Sequence, residues 1–152
     1  MIYFVIVAGI ILLDQIVKKI VVSNMYVGES IPLLEDFFHI TYIHNKGAAF
    51  SLWEQQWILL IAFPAIVMVV GLVCLFIKRK TWDKLYLLSI ALICGGGLGN
   101  LIDRIIQGYV VDMFDFRVFP VFNIADIFIC IGCGLMLIYV IFLERKNGDN
   151  EQ

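Results

Sequence analysis

Long apolar runs alternate with short polar links along the whole chain of 152 residues, and this pattern predicts membrane-spanning helices. An apolar stretch of about 18 residues with few charges is long enough to cross the hydrocarbon core of a bilayer. Four spans are predicted, at about residues 2–22, 57–77, 85–102 and 124–143. The pattern therefore predicts one integral membrane domain, residues 1–152, of the all-α class.

The polar links predict how this domain is oriented, because basic loops mark the cytoplasmic side of a membrane. Basic residues crowd the shortest link and also follow the last span: Lys78, Arg79, Lys80, Lys84, Arg145 and Lys146. The link 78–84 and the tail 144–152 are thus predicted to be cytoplasmic, together with both termini. The links 23–56 and 104–123 then lie outside, and Lys18 and Lys19, near the outer end of the first span, go against the rule.

Two segments of the outer links have the β-branched and aromatic composition of strands. They are FFHITYIH, residues 37–44, and FDFRVFPVF, residues 114–122. We expect the two to pair into a small sheet on the outer membrane surface. Trp53 and Trp57 suit headgroup depth at the start of the second span.

Composition narrows the class of protein further. The chain is 62% hydrophobic with a formal net charge of −2, so it gives no sign of a nucleic-acid partner. Its cysteines all lie inside predicted spans, which favours packing over disulfides or metal binding; they are Cys74, Cys94, Cys130 and Cys133. No basic residue precedes the first apolar run and no A-x-A follows it, so we expect a retained helix and not a cleaved signal peptide.

Ionisable groups within spans are expected to be paired or functional, since an aspartate at a helix centre costs roughly 2.5–3.5 kcal/mol. Asp14 and Lys18 are four residues apart, which predicts a structural ion pair within one helix. Asn100, Asp103 and Arg104 share one helical face. They either bind a polar substrate backbone or brace the helix end, and Asp103 and Arg104 can also neutralise each other.

Glycines in the third span predict a close approach between helices. Gly95 and Gly99 form a small-xxx-small pair. Such a pair lets two helix backbones approach each other without side chains between them.

Asp112 and Asp126 are the candidate catalytic pair. Asp112 follows the third span and Asp126 begins the fourth, so both lie at the outer end of the predicted bundle. Taken alone, Asp112 is explained as a solvated acid in a loop, and Asp126 as a carboxylate at a helix start, where the helix dipole favours it. Together, two close carboxyls share a proton, so that one acts as base toward water and the other as acid. Asp115, which alternates with Phe114 and Phe116, is predicted to face solvent.

The same residues are compatible with two other functions. A small proton-coupled transporter would use a relay of acids, namely Asp14, Asp103, Asp112 and Asp126. A non-catalytic scaffold would assemble through Gly95 and Gly99. A proton relay needs acids spread across the depth of the membrane, whereas three of these four acids cluster at one end of the predicted bundle. The scaffold gives the paired acids no role.

Several motifs, in order along nearly the whole chain, resemble the blocks of the lipoprotein signal peptidase (signal peptidase II) family. They are LDQIVKKIV, HNKGAAFS, GGGLGNLIDRIIQGYVVDMFDF and FNIADIF. The resemblance implies a bacterial intramembrane aspartic endopeptidase with four spans, cytoplasmic termini and a small extracytoplasmic β-sheet cradle. It implies no metal and no cofactor.

The resemblance also implies roles for individual residues and a substrate. The catalytic pair falls on Asp112 and Asp126, while Asp14 and Asp103 match structural positions. Positions that line the substrate site fall on Asn45, Asn100, Arg104 and Asn123. The implied substrate is the signal peptide of a prolipoprotein, cleaved just before a diacylglyceryl-modified cysteine. We expect a monomer in the lipid of the bacterial cell membrane, with its active site at the outer face.

Overall fold

The computed structural model describes residues 1–47 and 58–143, and within these ranges the chain is mostly helical with one small sheet. The helices are α1 (Ile2–Asn24), α2 (Phe63–Lys78), α3 (Lys84–Gln107) and α4 (Ile124–Ile138). The strands are β1 (Ser30–Leu34), β2 (Phe38–Asn45) and β3 (Val110–Asp115). A π-helical turn, Ile58–Ala62, leads into α2, and another, Tyr139–Leu143, continues α4.

Three helical segments of the described ranges are long and apolar enough to cross a membrane. They are Leu60–Lys78, Lys84–Gln107 and Ile124–Phe142. The helix α1 has 23 residues, but it carries the charges of Asp14, Lys18 and Lys19. The crossing of the membrane by this first helix therefore stays a prediction. Trp53, Trp57 and the tail from residue 144 lie outside the described residues.

The helix α3 lies at the centre and packs against the other three helices. Glycines allow this approach, because a Cβ built on Gly95 would come within 2.9 Å of the Ile10 side chain in α1. A Cβ on Gly99 would come within 2.7 Å of Oδ2 of Asp14, also in α1. The close approach predicted from the two glycines is confirmed, and it brings the carboxyl group of Asp14 against α3.

Two apolar clusters hold the elements together. One lies between the helices and consists of Val7, Met68, Leu75, Leu87, Ile90, Ala91 and Cys94. The other joins the end of α1 to the sheet and consists of Val21, Tyr42, Val111 and Met113. The outward face of α2 is apolar and exposed, for example at Ile66, Val69 and Phe76, as suits contact with lipid.

The sheet is antiparallel in the order β1-β2-β3, and its central strand is the predicted FFHITYIH segment from Phe38 onward. The second predicted strand, FDFRVFPVF, has the wrong bounds, because β3 begins earlier, at Val110, and ends at Asp115. Arg117 has a φ of 64° and turns the chain away, after which Phe122 makes only an isolated bridge.

The end of α3 differs from the predicted span end at residue 102. The helix continues to Gln107, so Arg104 lies in its last turn and not in a link. Gly108 ends the helix with a φ of 80°, and its N–H donates to the carbonyl of Arg104 at 3.1 Å. Only two residues separate this end from β3, so the strand starts beside the last turn of α3.

Candidate active site

Asp112 lies within β3 and is 1% exposed. The register of the antiparallel pair places Ile43 opposite Asp112 and Asn45 opposite Val110. From this position Asn45 donates a hydrogen bond from Nδ2 to Oδ2 of Asp112 at 2.9 Å. A strand in the small sheet thus fixes this carboxyl group, which is not the solvated loop acid that the sequence left open.

Asp126 lies in the first turn of α4, where Asn123 is the N-cap. The Asn123 side chain accepts from the backbone N–H of Asp126 at 3.0 Å. In return Oδ2 of Asp126 accepts from the backbone N–H of Asn123 at 3.2 Å. This reciprocal capping fixes the carboxyl group at the positive end of the helix dipole.

Two asparagine side chains connect these acids. Asn123 donates from Nδ2 to Oδ1 of Asp112 at 2.6 Å and to Oδ1 of Asn100 at 3.0 Å. Asn100 donates from Nδ2 to Oδ1 of Asp126 at 2.8 Å. The carboxyl groups of β3 and α4 therefore belong to one buried amide network.

Burial raises the pKa of Asp112 to about 6, from an ordinary value of 3.8. The negative charge of Asp126 raises it as well, while the hydrogen bonds from Asn45 and Asn123 act in the opposite direction. Such a carboxyl group holds or releases a proton near neutral pH, which general acid–base chemistry requires.

Both acids line a cavity of about 330 Å³. Its walls are Asn45, Asn100, Arg104, Val110, Asp112, Phe119, Pro120, Val121, Phe122, Asp126, Ile129 and Cys130. Amides, acids and a guanidinium thus share one cavity with aromatic and aliphatic side chains. This combination suits a peptide, whose backbone is polar and whose side chains are apolar.

Arg104 is the cation of this cavity. One of its Nη atoms donates to the carbonyl of Gly47 at 3.1 Å, and its charge is attracted to Asp126, Asp112 and Asp103. Its Nε is buried and has no hydrogen-bond partner within the described part of the chain. Among the described residues, the guanidinium therefore has one donor without a partner.

Lys18 lies behind the acids and is 3% exposed. Its Nζ contacts Oδ2 of Asp14 at 2.8 Å, Oδ2 of Asp103 at 2.9 Å and Oδ1 of Asn100 at 3.0 Å. The predicted ion pair with Asp14 is confirmed, and the buried acids explain why Lys18 is tolerated here. Asp103 pairs with Lys18, whereas the described residues show no ion pair between Asp103 and Arg104.

Gln15 was not singled out from the sequence, yet it joins the same network. Its Nε2 donates to Oδ1 of Asp103 at 2.9 Å and to the carbonyl of Gly99 at 3.2 Å. Gln15 is a polar residue next to Asp14 in a predicted span, and this is the signal that could have drawn attention to it.

The predicted solvent exposure of Asp115 is wrong, because the residue is only 6% exposed. Thr41 donates to its Oδ2 at 2.8 Å, and the backbone N–H of Arg117 donates to its Oδ1 at 2.8 Å. The Arg117 guanidinium adds an ion pair at 3.1 Å. Asp115 therefore stabilises the turn after β3, and it is not among the residues that line the cavity of Asp112 and Asp126.

The cysteines do not form a metal site with other residues that the structure describes. Cys94 is buried in the helical core, and Cys130 and Cys133 are exposed on α4. Across residues 1–47 and 58–143, no three His, Cys, Asp or Glu side chains are grouped to hold a metal ion.

Comparison with known proteins shows the family of this chain. The model of a family described as signal peptidase (SPase) II matches residues 6–142. The lipoprotein signal peptidase of Halothermothrix orenii is 44% identical over 96% of this chain and 99% of its own length. That of Halalkalibacterium halodurans is 43% identical and covers 96% of both chains.

Two solved structures have the same fold. Both are described as bacterial membrane enzymes. One is 30% identical, with a TM-score of 0.85 over 99% of this chain and 91% of its own. The other is 31% identical, with a TM-score of 0.82 over 93% of both chains.

Proposed function

Since the chain belongs to the signal peptidase II family, we propose that it removes signal peptides from lipoprotein precursors by using Asp112 and Asp126 as a catalytic pair. The single observation that carries this assignment is the shared hydrogen-bond network of the two acids. Asn123 binds Asp112 through its side chain and Asp126 through its backbone. Two carboxyl groups that share one hydrogen-bond network and line a peptide-sized cavity are the catalytic groups that an aspartic endopeptidase requires.

The proposed reaction needs one ionised and one protonated carboxyl group. The ionised member takes a proton from water as the water oxygen attacks the scissile carbonyl carbon. The protonated member donates its proton to the carbonyl oxygen. When the C–N bond breaks, the proton taken from water goes to the leaving amine, and the other member recovers its own. The pair titrates as a unit, so we assign the proton to neither residue.

The substrate backbone is proposed to lie along Arg104 and Asn45, which line the cavity. The guanidinium of Arg104 donates to a peptide carbonyl in this proposal, since it lines the cavity and its Nε has no hydrogen-bond partner among the described residues. Asn100 and Asn123 match substrate-lining positions by resemblance, but their amides are engaged by the acids here. We therefore propose that Asn123, which is fully buried, orients the acids, and that Asn100 serves both the acids and the substrate.

The proposed setting is the bacterial cell membrane, with α1 as a fourth span and both termini in the cytoplasm. The link at Lys78–Lys84 is basic, which favours the cytoplasmic side. The acids lie near the C-terminal end of α3 and the N-terminal end of α4, away from this link, and we place them toward the outer face. There the cleaved bond, just before the lipid-modified cysteine, meets water while acyl chains stay in lipid. One chain supplies both acids and their partners, so we propose that a monomer is active.

The transporter alternative has no support from the comparisons, which give peptidases. The arrangement of the acids does not favour it either. Asp14 and Asp103 are both ion-paired with Lys18, while Asp112 and Asp126 share one cavity. We therefore keep the peptidase as the one proposed function.

A cleavage assay on a synthetic diacylglyceryl-modified precursor peptide tests the proposal. Asp112→Asn and Asp126→Asn should each abolish cleavage while the protein stays folded and still binds the precursor. Because a pair acts as a unit, the double variant should be little worse than either single one. Asp115→Asn is the matched control, since it removes a neighbouring carboxylate that lies outside the cavity. Cleavage by either folded single variant at the wild-type rate would refute the assignment.

A further inference from the structure

Lys18 uses all three protons of its ammonium group inside the protein. Two go to the carboxylates of Asp14 and Asp103, and the third goes to Oδ1 of Asn100 at 3.0 Å. An ammonium group can only donate hydrogen bonds. The atom of Asn100 that faces Lys18 must therefore be its oxygen, so the chemistry of the contact fixes the orientation of the amide.

The orientation of the Asn100 amide determines which of its atoms faces Asp126. With its oxygen on Lys18 and Asn123, its Nδ2 is left to donate to Oδ1 of Asp126 at 2.8 Å. A flipped amide would set oxygen against the Asp126 carboxylate and NH₂ against the two donors. Each buried polar group left unpaired costs about 1–3 kcal/mol, and a flip would break the contact with Lys18 as well as those with Asn123 and Asp126, so Lys18 adds to the exclusion of the flip.

We propose that Lys18 is a positioning residue for the acid pair, acting through Asn100, and is more than a counterion for Asp14 and Asp103. Ion pairing with Asp14 and Asp103 does not require the third contact, because the ammonium already bridges both carboxylates. The inference rests on the proposed function, since it concerns the reactivity of Asp126. It adds a residue of α1 to a site whose other parts come from the sheet, α3 and α4.

Two substitutions separate the charge of Lys18 from its hydrogen bond to Asn100. Lys18→Met removes both, whereas Lys18→Gln removes the charge and keeps a side-chain N–H donor. The charge also acts on Asp112, so this separation matters. Lys19→Met is the matched control, because Lys19 is an exposed neighbour on the same helix that the described contacts do not join to the acids.

The readouts are kcat and KM on the lipidated precursor peptide, with the thermal unfolding midpoint as a measure of folding. We expect Lys18→Met to lower kcat about a hundredfold, the scale of a misplaced catalytic group, with KM within about threefold. Lys18→Gln should be at least about tenfold faster than Lys18→Met. Lys19→Met should match the wild type. A folded Lys18→Met with wild-type kcat, or Lys18→Gln no faster than Lys18→Met, overturns the proposal.

A double-mutant cycle tests whether the effect passes through Asn100. In an Asn100→Ala background, Lys18→Met should change kcat by less than about threefold, because there is no amide left to orient. Losses that multiply would show an independent structural effect and overturn the proposal. If Lys18→Met does not fold, Lys18→Met with Asp103→Asn removes one unpaired charge and is compared with Asp103→Asn alone. A wild type that cleaves no lipidated precursor would instead refute the proposed function.

Discussion

Asn123 lies 2.6 Å from Asp112, measured from its Nδ2 to Oδ1 of the carboxyl group, and it also caps the helix that carries Asp126. Asn123→Ser should separate these two roles. Serine is a comparable N-cap, so we expect the free energy of unfolding to change by less than about 1 kcal/mol. Its short side chain should not reach Asp112, so kcat should fall about a hundredfold.

Asn123→Ala is the companion variant, because it removes the cap as well as the contact to Asp112. It should lose about 1 kcal/mol more stability than Asn123→Ser, with a similar loss of kcat. Thermal unfolding and the cleavage assay measure the two effects. Wild-type turnover in Asn123→Ser would show that the contact with Asp112 is dispensable.

Asn45 should set the pH at which Asp112 titrates. Burial raises the pKa of Asp112 to about 6, and the hydrogen bond from Asn45 holds it lower than it would otherwise be. That donor favours the carboxylate, so Asn45→Ala should move the pKa of Asp112 further up. The pH profile of kcat/KM, which reports ionisations of the free enzyme, should bend near pH 6 in the wild type and at higher pH in the variant. Asn24→Ala, on the exposed end of α1, is the control, and an unshifted bend in Asn45→Ala would contradict the prediction.

Asp115→Asn should lower stability and spare activity. Burial opposes ionisation, yet hydrogen bonds from Arg117 and Thr41 leave the pKa of Asp115 below its ordinary value of 3.8. A lowered pKa means that the carboxylate stabilises the fold above pH 3.8, and that this contribution is lost as pH falls through the folded-state value. At pH 7 the variant should lose about 1–2 kcal/mol in thermal unfolding. Loss of turnover comparable to that of Asp112→Asn would place Asp115 in the site instead.

Gly96→Ala should disturb the contact between α3 and α4. A Cβ at this position would meet the carbonyl oxygen of Ala125, a backbone atom that cannot move aside on its own. We expect a loss of about 1–3 kcal/mol, together with reduced kcat because Ala125 adjoins Asp126. Gly134→Ala on α4 is the matched control, since a Cβ there meets nothing within 4 Å. That variant should gain up to about 1 kcal/mol from helix propensity, and equal effects of the two variants would argue against the contact.

Periodicity and spacing in the sequence predict the helical part of the fold well. The Asp14–Lys18 pair follows from a spacing of four, and the approach at Gly95 and Gly99 follows from small residues. The bounds of β3 could not be predicted as well. Its first residues, Val110 and Val111, are buried and apolar like the span before them, and Val111 packs against Val21 of α1, so the sequence does not mark where the strand begins.

The amide network was the harder part of the site to predict. Asparagine both donates and accepts, so nothing in the sequence tells which atoms of Asn100 and Asn123 face the acids. The exposure of Asp115 was predicted wrongly for a related reason. Alternation gives the side of a strand, but Thr41 and Arg117, which cover that side, come from other parts of the sheet and its turn.

The four-residue spacing of Asp14 and Lys18 also has a consequence during synthesis of the chain. Lys18 and its partner Asn100 are 82 residues apart, so α1 leaves the ribosome long before α3 exists. At about 5–20 residues per second this interval lasts roughly 4–16 s. Of the groups that contact Lys18 in the folded protein, Asp14 is the one already made by then, and it is one helical turn away. Lys18 is thus ion-paired within α1 from the start, and its contacts with Asp103 and Asn100 form only when α3 arrives.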